Sequence, residues 1–158
     1  MNRQSMLSLT TAGLIGLATG GSFVIANAQD TGKNVISTLN APKPLGPYSQ
    51  AIRVGKTVYL SGQLATDPKT NLAMANASIE DQTRLVLENL KAVLAADGLT
   101  MDDIVSTTVF LKDMNEFTKM NDVYATFFKD KPPARATIEV ARLPRDAKIQ
   151  ISAIAFHP

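Results

Sequence analysis

Cysteine and tryptophan are absent from this chain of 158 residues, and the single histidine, His157, is the penultimate residue. Without cysteine there can be no disulfide, no thiolate nucleophile, no cysteine-ligated metal and no lipid-modified N-terminal cysteine. One histidine supplies neither a Ser-His-Asp triad nor a histidine-rich metal site. Glycine-rich phosphate loops and the dinucleotide fingerprint are missing as well. Charge is sparse and nearly balanced, with 16 Lys and Arg against 14 Asp and Glu for a formal net charge of +2. Nucleic acid is therefore not expected as a partner, because its recognition calls for a clustered basic face.

Only the N-terminus carries a long apolar run. After Arg3 no charge appears until Asp30, and residues 6–26 are apolar or small, ending in Ala26-Asn27-Ala28. A basic tip, an apolar centre and an Ala-x-Ala end read as a secretory signal cleaved after Ala28. The expectation is an exported, periplasmic protein of residues 29–158 with no membrane attachment. The alternative is an uncleaved anchor, since roughly 20 residues can span a bilayer, but the Gly, Thr and Ser content and the cleavage site favour removal. A lone Arg3 excludes a twin-arginine leader. Its loss lowers the net charge by one.

The remainder is sized for one domain, with a moderate core that oligomerisation would help. Residues 29–40 read as a flexible lead-in. Residues 41–48, Ala-Pro-Lys-Pro-Leu-Gly-Pro-Tyr, hold three prolines and a glycine and must be a stiff loop. It either shapes a pocket or simply leads into the next strand. Residues 49–54 and 57–61 flank Gly55-Lys56 as a β-hairpin. Asp67-Pro68-Lys69-Thr70-Asn71 is turn chemistry.

Residues 78–97 predict a helix. Ser78 and Asp81 form a capping signal, Gly98 is a stop, and Ile79, Val86, Leu90, Val93 and Leu94 share one face. Residues 104–111 are β-branched and aromatic, as in a buried strand. A second helix over 116–128 presents Phe117, Met120, Tyr124, Phe127 and Phe128 as a core stripe with Asn121 at its edge. Residues 135–142 and 148–156 read as two further strands joined by a turn that carries Pro144 and Asp146. Ile149, Ile151, Ala153 and Ala155 face one way, and Gln150, Ser152 and Ile154 the other. The order β-β-α-β-α-β-β gives an α+β two-layer sandwich, a mixed sheet covered by two helices.

The chemistry on offer is modest. Arg135 opens a strand after Pro132-Pro133, and a planar cation on a rigid turn suits bidentate capture of a carboxylate. An ion pair with a surface acid would explain it equally well. Tyr48, Ser61 and Thr137 add hydroxyls, and Asn121 and Gln150 add amides.

At these residues the sequence resembles the Rid proteins, the reactive intermediate deaminases or YjgF-like group. The resemblance covers about residues 41–156. It rests on Gly46-Pro47-Tyr48-Ser49-Gln50-Ala51, Ser61-Gly62-Gln63, Asp67-Pro68, Leu87-Glu88-Asn89-Leu90, Thr107-Thr108-Val109-Phe110-Leu111, Pro133-Ala134-Arg135 and Val140-Ala141-Arg142-Leu143-Pro144. It implies a chorismate-mutase-like fold in residues 41–158, assembled as a homotrimer with pockets between subunits. It further implies hydrolysis of small 2-imino acids to 2-keto acids and ammonia without metal or organic cofactor. Arg135 would then hold the substrate carboxylate, and Tyr48, Ser61 and Asn121 would line the pocket. Two positions depart from the family. Thr137 replaces a frequent cysteine, and a hydroxyl still donates a hydrogen bond. Gln150 replaces a glutamate that orients or activates water. An amide holds water but lacks the carboxylate's basicity, and loss of a general base costs about 10²–10⁴-fold. Three functions stay open: an imine deaminase, a non-catalytic binder of small keto or amino acids, and a chaperone-like interaction protein.

Overall fold

The computed structural model describes residues 32–158. The expected signal and its cleavage site at Ala28 lie outside the described residues. A six-stranded sheet comprises β1 (Lys33–Ile36), β2 (Ala51–Val54), β3 (Thr57–Leu64), β4 (Ile104–Leu111), β5 (Ala134–Glu139) and β6 (Ile149–Phe156), in the spatial order β1-β2-β3-β6-β4-β5. Only the β4–β5 pairing is parallel, so the sheet is mixed. Helices α1 (Ile79–Ala95) and α2 (Phe117–Ala125) cover one face. The architecture is the α+β two-layer sandwich that the order of elements implies.

Helix α1 forms where its chemistry directs. The Ser78 hydroxyl accepts from Asp81 N–H at 3.1 Å and donates to the Asp81 carboxylate at 2.8 Å, which satisfies first-turn groups and places acids at the positive helix end. At the far end Gly98 takes φ +74°, and Leu99 N–H returns to Leu94 O at 3.0 Å. The buried face, with Ile79, Val86, Leu87, Leu90, Val93 and Leu94, meets Val58, Leu60, Val109, Leu111, Ile149 and Ile151 from the sheet in one core.

Several elements differ from the sequence reading. Residues 29–40 do not all form a lead-in, because Lys33–Ile36 pairs antiparallel with Val54–Ala51. Strand β3 continues past Ser61 to Leu64. The second helix is shorter than 116–128: a 3-10 turn, Met114–Glu116, precedes it, and its last residue is Ala125. The strand expected over 135–142 stops at Glu139 and does not pair with β6. Strand β4 lies between the two, so the segment with Pro144 and Asp146 is a crossover rather than a hairpin turn. That crossover is held by Lys112 Nζ donating to Asp146 at 2.7 Å, a hydrogen bond that draws the Asp146 carboxyl below its ordinary pKa.

Buried amides fix the connections. Gln82 is fully buried, donates to Ala75 O and Ala77 O, and accepts from Lys148 N–H at 3.0 Å. It thereby ties α1 to the loop before it and to the start of β6. Gln82→Leu keeps the volume but orphans three backbone groups, so urea unfolding should record a loss of about 2–4 kcal/mol.

Candidate active site

The proline loop is shaped by Gln50, only 3 % exposed. Its amide accepts from Thr38 N–H at 2.7 Å and donates to Thr38 O, Ala41 O and Pro42 O, the last at 2.9 Å. Sequence reasoning passed over this residue as part of a motif; its place beside a run of prolines, which have no N–H of their own, was the available signal. At the tip of the loop the Tyr48 hydroxyl accepts from Leu45 N–H at 3.1 Å. Ser61 donates to Ser49 O at 2.7 Å, locking the loop to β3.

Strand β3 carries a bulge here. Leu60 pairs with Ala153 and Gln63 with Ile151, so Ser61 and Gly62 together oppose Ser152. The extra residue lets both Ser61 and Gly62 line the same cavity. A β-carbon on Gly62 would fall 2.8 Å from the Gln150 amide carbon, so glycine here is what lets the amide sit where it does. The cavity beneath the loop measures about 420 Å³ and is lined by Lys43, Tyr48, Ser61, Gly62 and Gln150 among others. No hydrogen bond engages the Gln150 side chain among the described residues, leaving its donors and acceptor available.

Arg135, Asn121 and Thr137 belong to a second place. Arg135 donates to Asn121 Oδ1 at 2.8 Å, and its guanidinium carbon lies 4.5 Å from the Tyr124 ring centroid and 5.8 Å from that of Phe117. Stacking and one directed hydrogen bond orient the fork while leaving most of its donors unused. Tyr124 is itself positioned by a 2.8 Å hydrogen bond with Thr107. Burial raises the Tyr124 pKa, against the opposing pull of Thr107 and Arg135, so its hydroxyl stays protonated at neutral pH. Asn121, Tyr124, Phe128, Pro133 and Arg135 line a cavity of about 410 Å³. Thr137 Oγ1 is buried without a hydrogen-bond partner among the described residues. The surface-acid alternative for Arg135 does not describe this geometry, since its partner is an amide.

Strand register separates the two groups. Arg135 pairs with Thr107 and Thr137 with Val109, and these two β4 partners are buried on the helix-covered face. Gln150 pairs with Phe110, which is flanked on β4 by the helix-facing Val109 and Leu111 and so points to the opposite face. The structure therefore unites Tyr48, Ser61 and Gln150 on one side, and Asn121, Arg135 and Thr137 on the other. It does not join the two sets within one chain. The face that bears Gln150 also carries Tyr59, Ile154 and Phe156, exposed by 51 %, 37 % and 48 % and without a covering layer.

A two-layer α+β domain with two candidate clusters on opposite faces of its sheet defines the class of protein, and comparison with known proteins gives the family. The sequence model described as "Endoribonuclease L-PSP" matches residues 38–157. A "RutC family protein" of Pyrococcus horikoshii is 54% identical over 124 residues, covering 78% of this chain and 98% of that protein. A "2-iminobutanoate/2-iminopropanoate deaminase" of Salmonella typhimurium is 49% identical, covering 76% of this chain and 94% of the relative. The crystal structure of E. coli TdcF with bound serine superimposes with a TM-score of 0.76 at 43% identity, over 80% of this chain and all of that one (100%). The chain belongs to the Rid (YjgF/L-PSP) family.

Because the three atoms nearest a β-carbon on Gly62 all belong to the flexible Gln150 side chain, Gly62→Ala should fold normally and displace the Gln150 amide. A crystal structure of that variant should show the amide moved by more than about half an ångström, the distance needed to restore ordinary packing.

Proposed function

We propose that the protein is a cofactor-independent hydrolase of small 2-imino acids, working as a homotrimer. Each site takes Arg135, Asn121 and Thr137 from one copy and Tyr48, Ser61 and Gln150 from the next. The observation that carries this reading is Arg135: an oriented guanidinium with unused donors at the wall of a cavity, held by an amide rather than neutralised by an acid. Such a fork suits one carboxylate. Each cavity is lined by a single cation, Lys43 in one and Arg135 in the other, which fits a small acid and not the repeated phosphates of a ribonuclease substrate. The serine bound by TdcF and the name of the Salmonella relative agree with a small amino-acid-derived ligand.

The chemistry asks little of the protein. Water adds to the C=N carbon of the iminium, the tetrahedral adduct expels ammonia, and the 2-keto acid and ammonium remain. Arg135 fixes the carboxylate, and Gln150 holds the attacking water by its amide without removing a proton. The Tyr48 hydroxyl, whose oxygen accepts from Leu45 N–H, keeps its own proton to donate toward the leaving nitrogen or the forming carbonyl. Positioning supplies the rate enhancement. Assembly is favoured by the uncovered apolar face with Tyr59, Ile154 and Phe156, a patch of the kind that marks association.

The neutral amide at position 150 also favours a second reading, in which the same pocket binds a keto or amino acid without turnover. Ammonia release from oxidase-generated 2-iminopropanoate and 2-iminobutanoate separates the two. The hydrolase reading expects a rate above spontaneous hydrolysis, reduced at least about 10²-fold in Arg135→Ala and raised in Gln150→Glu. No rate in the native protein, with activity appearing in Gln150→Glu, would select the binding reading. Silence in the native protein and both variants would overturn the hydrolase.

A further inference from the structure

We infer that the site selects dicarboxylic over monocarboxylic 2-imino and 2-keto acids, and that Lys43 is the residue that reads the second carboxylate. The inference rests on the proposed function, because it takes the two cavities as halves of one site.

The charge inventory is lopsided. The side chains that line the two cavities include two cations, Lys43 and Arg135, and no carboxylate among the described residues. Three ionic groups of the crossover beside the loop are engaged elsewhere, Lys148 by Glu116 among them. Asp146 is paired with Lys112, and Arg145 donates to Asn71 O at 2.9 Å. None of the four ion pairs of the described residues includes Lys43. A glutamate at position 150 would have set a negative charge in Lys43's own cavity, opposing any anionic tail. Gln150 removes that charge, and the cavity is left with a cation alone.

Lys43 is also placed rather than merely present. It lies between Pro42 and Pro44, whose rings fix the backbone on either side. Pro42 O accepts from the buried Gln50 amide, and Ala41 is 1 % exposed, so the stem of Lys43 starts from an anchored point on the cavity wall. A substrate with its first carboxylate on Arg135 and its C2 at Gln150 would place its tail in the cavity that Gln150 and Lys43 both line. A terminal carboxylate on that tail meets a strongly hydrated point charge on a flexible arm, which adapts to tails of differing length. A terminal methyl meets the same arm and gains nothing from its charge. Lys43 is exposed to solvent, so the gain expected from one such charge-assisted pair is about two- to fivefold in affinity.

Isothermal titration of the purified protein with 2-oxoglutarate and with 2-oxopentanoate, two keto acids of equal carbon number, tests this at low ionic strength. The dianion should bind about two- to fivefold more tightly, and the advantage should shrink as salt is added. Lys43→Gln should abolish the advantage, Lys43→Arg should retain it, and Arg135→Ala should abolish binding of both ligands. Equal affinities in the native protein, or a preference that survives Lys43→Gln, would overturn the role of Lys43 and leave the proposed function untouched. Failure of either keto acid to bind the native protein would overturn the shared pocket, and this inference with it.

Discussion

A side chain on a strand reaches one face of its sheet, and the separation of Arg135 from Gln150 follows from how that constraint falls on β5 and β6. Strand β4 separates them, and its register sends Arg135 toward the helices and Gln150 away from them. No rotamer change can bring the two together across the sheet. A site that uses both must be built from two copies, and the uncovered face with Tyr59, Ile154 and Phe156 offers the surface on which copies would meet. In the proposed site, association and chemistry are therefore one problem.

Each of the two clusters is held in place for its own reason. On the helix side, Thr107 positions Tyr124, Tyr124 carries the guanidinium, and Asn121 sets its rotation. On the open side, the Gln50 amide gathers three carbonyls and one N–H around the proline loop, while the bulge at Ser61 and Gly62 clears room for Gln150. Buried amides and hydroxyls do this work because they are neutral. They orient neighbours without the desolvation cost of a buried charge.

Local signals were easy to read. The Ser78 cap, the apolar face of α1, the Gly55-Lys56 hairpin turn and the β-branched run of β4 each follow from short-range chemistry, and the motifs around Tyr48, Ser61 and Arg135 identified the family. Long-range pairing was not legible. Strand β1 is four residues long and becomes a strand only because β2 offers it an edge. Strand β5 is exposed along most of its length and gives a weak alternation, so nothing in its residues reveals that it runs parallel to β4 rather than against β6. The Arg135–Asn121 contact joins a strand to a helix and has no sequence period behind it. The split of the candidate site depends on register, and register became visible only in the folded chain.

Subunit mixing tests the two-copy site most directly. Arg135→Ala disables the helix-side half, and Gly62→Leu fills the space of the Gln150 amide and blocks the other. Neither variant alone should bind 2-oxobutanoate. Trimers reassembled from equal amounts of the two should regain about a quarter of the native sites, since a random pairing joins the intact half of one copy to the intact half of its neighbour that often. Recovery near that level is the result the two-copy site predicts. Fully assembled mixed trimers that bind nothing would contradict it.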